Sequence, residues 1–147
     1  MRAEESDCAI TFLRNKGENL ENWRIVGHPE DSIIDVELKE LSQNYSIHAQ
    51  VRVLNDEFHA NEGRFGSSAG GGTPETLAEL IFNATEEKSK QYGVNSTKDI
   101  VLLLYSPLDV LDIFIDKIKK NLEMKNLDAF QQIWVVCPAY CKNVQIK

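Results

Sequence analysis

The run Asp99-Ile100-Val101-Leu102-Leu103-Leu104-Tyr105 constrains this chain most. It is far too short for a membrane helix, which needs roughly 20 apolar residues. It also shows no alternation, as expected of a central strand covered on both faces. The segments around it supply the covers. Thr73-Pro74-Glu75 is a helix start, with a threonine N-cap, a proline at the first helical position and an acid in the first turn. Leu77, Leu80, Ile81 and Ala84 then form one apolar stripe, and Gly93 is a stop. Ser106-Pro107-Leu108-Asp109 starts another helix, whose inward residues are read as Val110, Leu111, Phe114, Ile115, Ile118 and Leu122. Gln132 to Cys137 reads as a last strand. Helix and strand alternate through this half, which implies right-handed parallel crossovers.

The first half has a different period. Residues 8–21 predict a leading helix. Trp23-Arg24-Ile25-Val26 is a short extended piece ending at Gly27 and Pro29. Residues 33–41 alternate, with Ile34, Val36 and Leu38 on one face and Asp35, Glu37 and Lys39 on the other. Residues 47–54 do the same, with Ile47, Ala49, Val51 and Val53 set against His48, Gln50 and Arg52. Ser42-Gln43-Asn44-Tyr45 joins them, so the two should form a hairpin. The expected fold class is α/β: a leading helix, a three-strand meander and parallel helix–strand crossovers on one mixed sheet. A length of 147 residues suits one domain spanning 1–147, and 42% hydrophobic with 27% charged residues is ordinary for a globular protein.

Charge bounds the partners. The formal net charge is −7, and it resides in residues 1–62, which carry 13 acids against 6 bases. Residues 63–147 carry 10 of each. Nucleic-acid binders usually present a basic face. None is visible here, so the charge gives DNA no support as a partner and points to a partner protein. The N-terminus lacks the hydrophobic stretch of a signal peptide, and no membrane segment is evident, so a cytoplasmic location is expected. Cys8, Cys137 and Cys141 are too few and wrongly spaced for a disulfide framework or metal knuckle; the last two read as thiols at a strand end. His28, His48 and His59 have no paired ligand spacing and read as surface residues. Gly66 to Gly72 reads as a flexible loop; with Gly72 where a P-loop has lysine, it is a poor nucleotide motif.

Chemistry concentrates on the hairpin. A four-residue loop at 42–45 pairs Leu41 with Ser46, Lys39 with His48, Glu37 with Gln50 and Asp35 with Arg52. All six polar side chains then share one face, which a solvated ion-pair surface would also explain. The stripe 77, 80, 81, 84 continues at its next i+4 step to Lys88, which would deliver an ammonium toward that face. The plainer account is a lysine reaching water near a helix C-terminus.

This order of elements, with Asp35 and Gln50-Val51-Arg52 separated by fourteen residues, resembles the PD-(D/E)xK, or restriction-endonuclease-like, superfamily. That core is a helix, a three-stranded meander, a helix and a further strand, and the likeness covers roughly residues 8–106. It implies a Mg²⁺-dependent deoxyribonuclease with a degenerate site, of the kind found in bacterial defence systems or mobile elements. Asp35 and Gln50 would hold the metal, and Asp35, Gln50, Arg52 and Lys88 would be the catalytic set. Gln50 stands where the motif has an acid and Arg52 where it has lysine. The Mrr-like branch also carries Gln there, and some members draw the lysine from the following helix, where Lys88 stands. A Glu from the leading helix is a further family feature, here matched to Glu18 or Glu21. Gln50 offers only a neutral carbonyl oxygen, and Arg52 cannot shuttle protons. The alternative reading is a non-catalytic protein-interaction module of the same fold. The second literal match, Asp31 with Glu37-Leu38-Lys39, leaves too few residues for a turn and a return strand.

Overall fold

Alternation in the first half and helical stripes in the second are realised on a single sheet. The structure, a computed structural model, describes residues 1–54, 73–106 and 110–147. Its elements are α1 (Ala3–Asn15), β1 (Trp23–Gly27), β2 (Val36–Glu40), β3 (Tyr45–Val53), α2 (Pro74–Tyr92), β4 (Val101–Tyr105), α3 (Asp112–Leu122), β5 (Gln132–Cys137) and β6 (Lys142–Gln145). The six strands lie in sequential order, β1 to β6. β1, β2 and β3 form an antiparallel meander. β4 is parallel to both β3 and β5, and β6 returns antiparallel to β5. The parallel pairs are the ones that α2 and α3 connect, as expected.

Each face of the sheet has its own apolar core. α1 covers one face with Cys8, Ala9, Phe12 and Leu13, against Val36, Leu38, Ala49, Val51, Val101 and Leu103. α2 and α3 cover the other, with Leu77, Ile81, Ala84, Ile118 and Leu122 against Leu54, Leu102, Leu104, Ile133 and Val135. β4 is therefore enclosed on both sides, and Val101 to Leu104 are no more than 4% exposed. Among the described residues no helix is long and apolar enough to cross a membrane.

Several boundaries differ from the sequence reading. The leading helix spans 3–15 instead of 8–21. Gly17, at φ 79°, ends it in a Schellman arrangement: its N–H donates to Arg14 O and that of Glu18 to Leu13 O. Thr73 caps α2 as expected, accepting from the Thr76 amide, and Gly93 ends it at φ 83°. α3 begins only at Asp112; Val110, Ile118 and Leu122 are buried, but Leu111 is 39% exposed because it lies before the helix. β6 has no counterpart in the sequence reading; it follows a 3-10 turn and the left-handed Cys141. Gly66 to Gly72, His59, and Pro107 to Asp109 lie outside the described residues.

Candidate functional site where the first hairpin forks

The β2–β3 register decides which polar groups meet. Glu40 pairs with Tyr45, Lys39 with Ser46, Glu37 with His48 and Val36 with Ala49. The connecting loop is 41–44, one residue earlier than expected, because Asn44 takes the left-handed turn conformation (φ 54°). The expected partners are thereby corrected by two positions: Leu41 leaves the ladder, Glu37 faces His48 instead of Gln50, and Lys39 faces Ser46 instead of His48. A shift of two keeps each side chain on its face. Glu37 consequently gathers charges. Its Oε1 lies 3.1 Å from His28 Nε2, and its Oε2 lies 3.6 Å from His48 Nε2 and 3.8 Å from Lys39 Nζ. His28 and His48 thus both approach one carboxylate, an arrangement that their positions in sequence did not announce.

At Asp35 the two strands part. Its N–H donates to Ala49 O at 3.0 Å, and its own carbonyl accepts from His28 N–H at 3.2 Å. The next β3 amide, Val51, donates instead to Asp35 Oδ2 at 2.9 Å. The carboxylate thus replaces the backbone acceptor that the departing strand removes. Ahead of the fork, Ile33 and Ile34 both pack against the core under α2 and α3, whereas Val36 and Leu38 face α1. The expected alternation through Ile34 is therefore broken at Asp35, the residue displayed at the break.

Gln50 ties the fork shut. Its Nε2 donates to Ile33 O at 2.5 Å. The residue is fully buried, and its Oε1 has no hydrogen-bond partner among the described residues. It does not belong to a solvated face, as a simple alternating strand would have it. A buried amide oxygen without a partner is costly, commonly about 1–3 kcal/mol.

Two further elements reach this point. Asp35 shares a cleft of about 380 Å³ with Glu5, Arg2 and His28. An adjoining cleft of about 480 Å³ is lined by Arg2, Glu4, Glu5, Arg52 and Lys88. The acid delivered by the leading helix is thus Glu5, not Glu18 or Glu21. Glu18 accepts from Trp23 Nε1 at 3.4 Å, and Glu21 is exposed. Glu5 is 8% exposed and sits one turn before Cys8 and Ala9 on the buried face of α1. Its signal in the sequence was that i+3/i+4 spacing, hidden once the helix was started at residue 8.

Electrostatics tie the group together. Burial raises the Asp35 pKa above its ordinary value; the Val51 amide and the charge of Lys88 oppose the rise, Glu5 adds to it and Arg2 opposes it. Lys88 is partly buried and lines the same cleft as Glu5 and Arg52. The neighbouring residue, Glu87, pairs with Arg52 at 2.5 Å. Asp35, Gln50, Arg52 and Lys88 are thus brought to one end of the sheet, with Glu5 added. Among the described residues, no three His, Cys, Asp or Glu side chains form a group able to hold a metal ion. Compared with protein-family models, curated proteins and solved structures, the chain matches none.

Proposed function

We propose that the fork is the active site of a metal-dependent nuclease of restriction-endonuclease-like design, acting on phosphodiester bonds in DNA. One observation carries the reading: Glu5 of α1, Asp35 just before β2 and Lys88 of α2 line two adjoining clefts at the fork, and Gln50 of β3 is buried there with an amide oxygen that has no partner among the described residues. The order of helix, meander, helix and strand supports it as well.

The donor set fits a hard divalent cation. Asp35 is buried more than its neighbouring cations offset, and Gln50 Oε1 lacks a partner among the described residues. A Mg²⁺ ion is the kind of partner that answers both deficits, since it takes carboxylate and carbonyl oxygens. Asp35, Glu5 and Gln50 Oε1 would hold it, and bound there it would supply charge neutralisation at the phosphate and a more acidic water. The rest falls to the chain's own side chains. Lys88 places positive charge beside Asp35 and can steady negative charge on a phosphate oxygen or orient the attacking water. Arg52 stays protonated and contributes charge alone, held in place by Glu87.

The test is cleavage of DNA under Mg²⁺ or Mn²⁺ by wild type, Asp35→Ala and Lys88→Ala. Cleavage by wild type that falls at least about a hundredfold in both variants supports the reading. Cleavage untouched by Asp35→Ala would sink it. The absent third-strand acid and the Arg52–Glu87 pair favour a second reading, a non-catalytic interaction module. A wild type that neither cleaves nor responds to metal supports that one.

A further inference from the structure

Glu5 does not wait at the fork as a bare carboxylate. Arg2 Nε donates to its Oε1 at 3.0 Å, and the Arg2 backbone N–H donates to its Oε2 at 3.2 Å. Both oxygens are engaged by one residue, which also lines both clefts. The pair is lopsided in exposure: the Arg2 side chain is 71% exposed and that of Glu5 is 10% exposed. A nearly buried carboxylate needs a cation close by. An exposed guanidinium can leave for water at little cost. The influence of Arg2 also extends to Asp35, whose ionised form it favours.

From this geometry we infer that Arg2 is a built-in counter-cation that competes with a divalent metal for Glu5. The inference rests on the metal-dependent reading proposed above. The Arg2 Nε–H already lies 3.0 Å from Glu5 Oε1, so a metal binding that oxygen meets a like charge at close range, and the exposed guanidinium is the one that gives way. The backbone N–H on Oε2 can stay, because it belongs to the start of α1 and not to the mobile side chain. Arg2 thereby holds the acid in place before the metal arrives and sets a threshold for its arrival. Lys88 differs, since it lines only the second cleft and forms no described ion pair with Glu5.

The experiment is Mn²⁺ binding to the full chain, followed by the electron paramagnetic resonance signal of free Mn²⁺, for wild type, Arg2→Gln and Arg24→Gln. Arg24 lies on β1 and is exposed, so its variant removes one positive charge away from the fork. Circular dichroism in EDTA confirms that each is folded. Arg2→Gln should bind Mn²⁺ about two- to fivefold more tightly, the equivalent of one partly exposed ion pair. Arg24→Gln should match wild type. Equal affinity in wild type and Arg2→Gln overturns the competition while leaving the metal site standing, as does weaker binding by Arg2→Gln. No Mn²⁺ binding by any of the three at millimolar concentration removes the metal-dependent reading and the competition with it.

Discussion

Asp35 combines a structural duty with the chemical one proposed for it, and pH separates them. Because burial raises its pKa, the folded state favours the protonated acid. The stability linked to this group is complete below the ordinary carboxylate pKa and is lost as pH rises through the raised value. Asp35→Asn keeps an acceptor for the Val51 amide but removes the buried charge. It should melt higher than wild type at pH 7, with the gap closing toward pH 3.5, while cleavage is abolished. A variant that melts lower at pH 7 would mean that the charged form strengthens the fork. Glu37 has the opposite sign. Burial alone would raise it, but His28, Lys39, Ser46 and His48 together lower its pKa. Its contribution is present above the ordinary glutamate value and is lost as pH falls through the lowered one. Glu37→Gln should cost at most about 1 kcal/mol near pH 6 and nothing near pH 2. Melting curves across that range check both signs. Alternation and the i+4 step singled out Asp35, Gln50, Arg52 and Lys88, but not the break at Asp35 or the burial of Gln50. Glu5 was not singled out, because its meaning depends on where α1 starts.

Among the elements, α1 shows why local signals misplace boundaries. Arg2 is an unusual N-cap residue, with Glu5 at the third helical position reaching back to its amide. The usual Ser, Thr, Asp or Asn signal is missing at that start. At the other end, Gly17 marks a stop instead of an interior residue. A Cβ at Gly17 would meet nothing within 4 Å, so Gly17→Ala isolates the backbone cost of φ 79°. That cost is about 1 kcal/mol, or roughly 2–4 °C in melting temperature for a chain of this size. A drop well beyond this range would show that the turn carries more than its own conformation. Phe12→Ala should cost more, about 3–5 kcal/mol, since Phe12 is 1% exposed and packs edge-on against Trp134 at 5.4 Å. The elements with strong signals at both ends, α2 with its threonine cap and closing glycine and β5 with its unbroken run, were read with correct bounds. β6 escaped because its four residues carry no period of their own and gain strand character only by pairing with β5.

For the whole molecule, what matters is that the site draws on both layers. Glu5 comes from the helix on one face of the sheet and Lys88 from a helix on the other, while Gln50 comes from β3 and Asp35 from the turn that leads into β2. A cation held by these groups therefore ties α1 to the β2–β3 fork and cannot bind the unfolded chain in the same way. Such a ligand stabilises the native state by about 2.7 kcal/mol when present at a hundred times its dissociation constant. With roughly 2–4 °C per kcal/mol, saturating Mn²⁺ should raise the melting temperature by about 5–10 °C. Excess EDTA should reverse the rise, and Asp35→Asn should abolish it. Gln50→Leu is the more discriminating variant. It removes the unpartnered Oε1 but also the bond to Ile33, so its stability without metal can change in either direction. Its response to Mn²⁺ has only one expected outcome, a smaller rise than wild type, because a ligand oxygen is gone. A Gln50→Leu chain that gains the full wild-type rise places the metal elsewhere on an acidic surface, where a charge of −7 attracts divalent ions without the fork.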